Sequence, residues 1–306
     1  MHTVVFDDQA IIPDLRYDIV FKAVFAQENP RSRKALSGLL SACIGHTVSV
    51  LSLAANEPAP SSAWDKRIRY DIACRLESGE LADVEMTLDP FLGISFRDEY
   101  FAAKLFVSQD IRGSEEEYRK LKNIYQINIL AKDVRYKDEE LVHCFRFYDA
   151  KNSLSFGGRM HIITIELEKA EKTAIEKAAG EMNAAEAWAV FLRYHMDKKK
   201  RALVNDILKE REDIAMAGET ALAFSKEELE YFHNMSKLKY ELDMQDLRAR
   251  IRREGREEGW EERDKQARED FKRLKLETAM KLKTMGLSPA QIAEGVGLSP
   301  EEIEKL

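Results

Sequence analysis

Two carboxylates carry the first chemistry this sequence suggests. Asp71 and Glu85 lie in runs of strand character on either side of Glu77, Ser78, Gly79 and Glu80, where a serine and a glycine permit a chain reversal. A strand sends residues i and i+2 to one face. Arg69, Asp71 and Ala73 therefore share a side of the first strand, and Asp83, Glu85 and Thr87 share a side of the second. Paired as a hairpin, the two strands make Asp71 and Glu85 converge. Carboxylates in a half-buried sheet are costly unless a cation or hydrogen bonds satisfy them, and a hard ion such as magnesium suits oxygen ligands. The plainer reading is a solvated pair or a salt bridge, with Arg69 and Arg75 as ready partners, and on residue types alone it is the commoner one.

The elements that must position this hairpin can be read around it. Leu15 to Phe25 has apolar residues at helical spacing, with Phe21 and Phe25 four apart, and predicts a helix packed by one face. Arg33 to Ile44 predicts a second helix, with Leu36, Leu39, Leu40 and Ile44 on one stripe and Gly45 at its end. Val48 to Leu53 alternates weakly, as a strand would, and Pro58, Pro60, Ser61 and Ser62 mark a loop. After the hairpin, Phe96 to Arg112 predicts a long helix stopped by Gly113. On it Tyr100, Lys104, Val107 and Ile111 follow at gaps of four, three and four, so a helix covering the sheet could aim Lys104 at the carboxylates. A lysine on such a stripe more often snorkels to solvent.

Asn123 to Leu130 is rich in β-branched and aromatic residues and predicts a central strand; Leu141 to Asp149 and Met160 to Leu167 add two more. His143 and His161 fall in these apolar strands without a second ligand at metal-site spacing, and are expected to be core or edge residues. Strands and helices mingle over residues 1–170, which predicts an α/β (α+β) core. Residues 171–225 turn helical, with an Ala-rich run from Thr173 to His195, and predict an extension packed on that core.

Residues 226–284 predict a charged helical arm. Tyr240, Met244, Leu247 and Ile251 repeat at gaps of four, three and four, a short coiled-coil-like seam that suggests a homodimer; docking on the core is the competing use of that stripe. Beyond it both signs of charge alternate around Gly255 and Gly259, which describes a solvated helix better than a nucleic-acid stripe. Residues 285–306 hold two helix starts, at Ser288-Pro289 and Ser299-Pro300, with Gln291 and Glu302 three residues after each cap. They resemble a small helix-turn-helix, but Glu301, Glu302 and Glu304 would meet phosphate poorly, so a cap is the preferred reading.

Composition narrows the class. Of 306 residues, 44% are hydrophobic, enough for a sizeable core, and the 34% that are charged exceed the usual quarter of a globular domain, as long solvated helices require. With a net charge of −7, nucleic-acid binding needs a local basic surface. Cys43, Cys74 and Cys144 stand far apart with no CxxC pair, which disfavours a disulfide framework or a zinc site. Met1 leads into no basic-then-apolar leader and no uncharged run approaches a membrane span, so a cytoplasmic protein is expected, with no membrane partner.

The order of these features resembles the recombination-promoting nuclease, or transposase, family of the PD-(D/E)XK nuclease superfamily. The matching residues are Tyr17 to Phe25, Tyr70-Asp71-Ile72, Val84-Glu85-Met86, Arg97 with Tyr100, Gly113 with Tyr118 and Leu121, Ile127 to Leu130, and the tail from Gly297 to Leu306. The resemblance implies a restriction-endonuclease-like core, a mixed sheet flanked by helices with the acidic residues on the hairpin. It implies a magnesium-dependent DNA endonuclease, with manganese as an alternative ion, linked to recombination or transposition. Carried over by position, Asp71 and Glu85 would ligate the metal and Asp18 would support the metal or its water. Arg97 and Tyr100, at the helix start, could contact DNA phosphate or serve packing alone.

The third position of the motif falls on Thr87, where the superfamily usually has lysine and this family often has glutamine. Phosphodiester hydrolysis needs a metal to polarise phosphate and activate water, and a group to meet the charge that develops. Threonine carries no charge. Lys104 is one replacement, Arg69 and Arg75 are weaker ones, and a second metal or slow catalysis are the other ways out. The alternative function is a non-catalytic relative acting in DNA binding or assembly.

Overall fold

The computed structural model describes residues 4–57, 68–88, 94–109, 111, 115–132, 134–284, 288, 293, 297 and 299. It divides into two units, Met1–Ser236 and Lys237–Leu306.

The first unit is built on a six-stranded mixed sheet of order β1-β2-β3-β4-β6-β5, with β1 Val50–Leu53, β2 Ile72–Leu76, β3 Leu81–Thr87, β4 Ile124–Leu130, β5 Val142–Phe145 and β6 Met160–Glu166. β2 and β3 are the antiparallel hairpin the sequence predicts, turning through Gly79 at φ 85°. β3, β4 and β6 run parallel, and β1 and β5 close the edges antiparallel to their neighbours. This is the mixed sheet flanked by helices of a restriction-endonuclease-like core.

Alternation gives the sheet two unlike faces. Cys74, Leu76, Val84, Met86, Ile127, Ile129, Ile163 and Ile165 point into the main core with helices α1 (Asp18–Phe25) and α2 (Pro30–Ile44). Asn29 caps α2 by accepting from the Ser32 N–H, and Pro30 sets its first turn, so the helix starts three residues before the predicted Arg33. Gly45 ends it in the left-handed region at φ 88°. On the other face a smaller cluster joins Tyr70, Ala73, Leu81 and Ile124 to Phe101, Ala102 and Leu105 of α3 (Ile94–Val107).

That packing corrects the stripe read on α3. Phe101, Ala102 and Leu105 are buried, whereas Tyr100 is 36% and Val107 71% exposed. Two adjacent stripes fit the same helical spacing, and the one offering Phe101 and Leu105 buries more apolar surface. Gly113, like the loop at residues 58–62, lies outside the described residues.

The helical run predicted over Thr173 to His195 is broken. Here α4 (Ala170–Glu176) ends in an extended Lys177, and α5 (Ala184–Tyr194) restarts behind a capping box in which Asn183 accepts from the Glu186 N–H and Glu186 accepts from the Asn183 N–H. With α6 (Arg201–Glu210) and α7 (Glu212–Leu222), these helices add Trp188, Phe191, Ile207 and Ile214 to the same main core as the sheet. Helix α8 follows, Lys226–Thr284. In the second unit Ala279 is buried and Lys275 Nζ donates to the Gly297 carbonyl at 3.0 Å. The side chains of Tyr240, Leu247 and Ile251, and most of the helix-turn-helix-like end, lie outside the described residues. No described helix is long and apolar enough to cross a membrane.

Candidate active site

The hairpin register sets Ile72 opposite Val84, and so brings Asp71 across from Glu85. The Asp71 backbone N–H donates to Glu85 Oε1 at 2.7 Å, and Asp71 Oδ2 accepts from the Met86 N–H at 3.2 Å. Each carboxylate is thus fixed by the other strand's backbone. Both are buried, Glu85 to 4% exposure, and Asp83 beside it is fully enclosed.

Three buried carboxylates on one patch of sheet carry an electrostatic cost. Burial first, and then the negative charge of Asp71, push the Glu85 carboxyl up to about 7, with Arg97 holding it back in part. Burial and then Glu85 hold Asp83 well above the ordinary carboxylate range, although Gln126 Nε2 donates to its Oδ2 at 2.9 Å. Asp83 Oδ1 has no hydrogen-bond partner among the described residues.

Among the described residues, Lys22 and Arg97 reach the pair. Lys22 of α1 places Nζ 2.6 Å from Asp71 Oδ1 and 3.7 Å from Asp18 Oδ2. Arg97 of α3 places Nη2 3.4 Å from Glu85 Oε2 and 3.5 Å from Thr87 Oγ1, with its guanidinium 5.4 Å from the Phe101 ring centre. The Thr87 hydroxyl donates to Asn128 Oδ1 at 2.9 Å. Asn128 Nδ2 in turn donates to both oxygens of Asp98, at 3.1 and 3.2 Å, and Arg135 lies 3.6 Å from that carboxylate. Thr87 is therefore tied into a polar chain from β3 through β4 to α3.

The structure brings Asp71, Glu85, Thr87, Asp18 and Arg97 together. For Lys104 the described contact is the Tyr100 ring, whose centre lies 5.6 Å from its ammonium. Of the weaker candidates, Arg69 pairs with Glu57 at 2.7 Å and Arg75 is exposed. His161 is buried against Tyr125, and His143 meets Asp138 at 3.0 Å.

Sequence reasoning missed the partners more than the ligands. Lys22 sits one helical turn after Asp18, and Gln126 and Asn128 alternate in an otherwise apolar central strand. Polar residues at i and i+2 in such a strand signal a polar face above it. Asp98 carried no signal, because its role depends on how α3 lies on the sheet.

Among the described residues no group of three or more His, Cys, Asp or Glu side chains is gathered as a metal cage. Magnesium does not need one: it binds through one or two carboxylates and completes its shell with water and substrate phosphate. Asp71 and Glu85 offer that donor set. The model of the family described as PD-(D/E)XK nuclease family transposase matches residues 15–249. No curated protein and no solved structure matches the chain.

Proposed function

Because the chain belongs to the PD-(D/E)XK nuclease family of transposases, we propose that it is a magnesium-dependent DNA endonuclease linked to recombination or transposition. One observation carries the reading: two buried carboxylates, Asp71 and Glu85, held against each other by reciprocal backbone hydrogen bonds on one hairpin. A carboxylate pair kept only for stability would not be enclosed this way, since its desolvation offsets its attraction for a cation.

In this reading Asp71 and Glu85 hold the ion and Asp18 lies beside them. When bound, magnesium or manganese supplies Lewis acidity toward a phosphate oxygen and an attacking water. Arg97, beside both Glu85 and Thr87, brings to the third motif position the positive charge that threonine lacks, and is suited to the charge that builds on the phosphate. Thr87 anchors the chain to Asn128 rather than acting on the substrate.

Nicking of plasmid DNA with magnesium tests the assignment. Asp71→Ala is expected to lower the rate by about a hundredfold or more, and unchanged activity would remove Asp71 from the mechanism. Thr87 also supports a second reading, a non-catalytic DNA-binding or assembly protein; under it the wild type neither cleaves nor binds metal in calorimetry. The arm seam around Met244 is proposed to pair two copies, and light scattering that finds a monomer would exclude this.

A further inference from the structure

Lys22 is the side chain whose place the proposed chemistry leaves unexplained. Its ammonium touches Asp71 Oδ1, an oxygen assigned above to the metal, and it lies among Asp18, Asp71 and Glu85. An i,i+4 pair with Asp18 on a helix surface would be ordinary and weak. Here the closer partner is on another element, by 2.6 Å against 3.7 Å, so the lysine is drawn off its own helix toward the hairpin.

We propose that Lys22 competes with the divalent cation for Asp71 and, once displaced, serves as a second phosphate-binding cation at the same mouth. This inference rests on the metal-dependent nuclease reading. An ammonium and a divalent ion on one carboxylate oxygen repel each other, so entry of the ion drives Lys22 away. Lysine is suited to the exchange: it is a compact charge on a flexible four-carbon stem, whereas a guanidinium is held in a planar fork. Lys22 is 28% exposed at its side chain, so it has room to move outward. A substrate phosphate is the one anion that the proposed reaction delivers to that spot. Position 87 can give no charge there, and Arg97 approaches from the opposite element, α3. Lys22 and Arg97 would then bracket the phosphate from two helices.

Two readouts on Lys22→Met, of similar length without charge, test the proposal, with Lys22→Gln as a second variant and circular dichroism as the check on folding. Magnesium titrated into each protein by calorimetry at pH 8 should bind about tenfold more tightly to the variants than to the wild type. At saturating magnesium, plasmid cleavage should fall by about a hundredfold, and Lys22→Arg should recover part of it. Unchanged or weaker magnesium binding in both variants would overturn the proposal, as would wild-type cleavage at saturating metal. If the wild type itself neither binds magnesium nor cleaves, the nuclease reading fails and the role of Lys22 falls with it. A wild type that does both beside variants that match it overturns Lys22 alone.

Discussion

Asp71 and Glu85 are tied together through backbone in spite of their like charge: the Asp71 N–H donates to Glu85 Oε1, and the residue after Glu85 donates to Asp71 Oδ2. Each carboxylate loses freedom to the strand that carries the other. The pair is thus oriented before any ligand arrives, which is the condition for electrostatic preorganisation.

The same enclosure makes Glu85 a burden on stability at high pH. Its folded carboxyl titrates at about 7, above its ordinary 4.5, so the folded state binds the extra proton between those values. Stability from this group is therefore full below pH 4.5 and falls as pH rises through 7. Glu85→Gln is expected to be more stable than wild type by about 2 kcal/mol at pH 8 in EDTA and to have lost cleavage. Equal urea midpoints at pH 8 would contradict it.

His195 acts in the opposite direction. It is enclosed in the core, where Nδ1 donates to the Leu192 carbonyl and Nε2 accepts from the Leu15 N–H, which fixes the neutral ring. Burial lowers it to about 4 from the usual 6.5. The unfolded chain then binds the proton first, and stability falls as pH drops from 6.5 toward 4, by about 3 kcal/mol in all. Urea unfolding in the Glu85→Gln background isolates this loss, and NMR should show His195 unprotonated at pH 5.

Arg97 pairs with Glu85 at 3.4 Å. Arg97→Ala is expected to slow cleavage by about a hundredfold and to raise the Glu85 carboxyl further, since its guanidinium now lowers it. Arg97→Lys should restore only part of the rate, because a point charge cannot serve both Glu85 and Thr87. Full activity in Arg97→Ala would leave the third position without a substitute.

Gly38 of α2 faces Asp213 of α7 with no room for a side chain. A Cβ there would fall 2.1 Å from Asp213 Oδ2, the atom that accepts from Trp188 Nε1 at 2.9 Å. Gly38→Ala must push Asp213 aside and is expected to cost about 1–3 kcal/mol, read as a lower thermal midpoint. Asp213→Gly beside it should tolerate Gly38→Ala, because the side-chain atoms in the way, Asp213 Cβ at 2.4 Å included, are then gone.

The hairpin, the strands and the convergence of Asp71 with Glu85 are legible in the sequence. These follow from period-two alternation, a permissive turn and the pairing of neighbours in the chain, all of them local. The sequence also places a threonine where a charge is expected. Which cations meet that charge depends on how the helices pack on the sheet. Lys22 is 49 residues before Asp71, and Arg97 belongs to a helix whose two candidate stripes are offset by one residue, about 100° around its axis. The choice between them was made by Phe101 and Leu105 burying against the sheet, which sets Arg97, one turn before Phe101, beside Glu85. Spacing within an element fixes which residues share a face. Packing between elements fixes what that face meets.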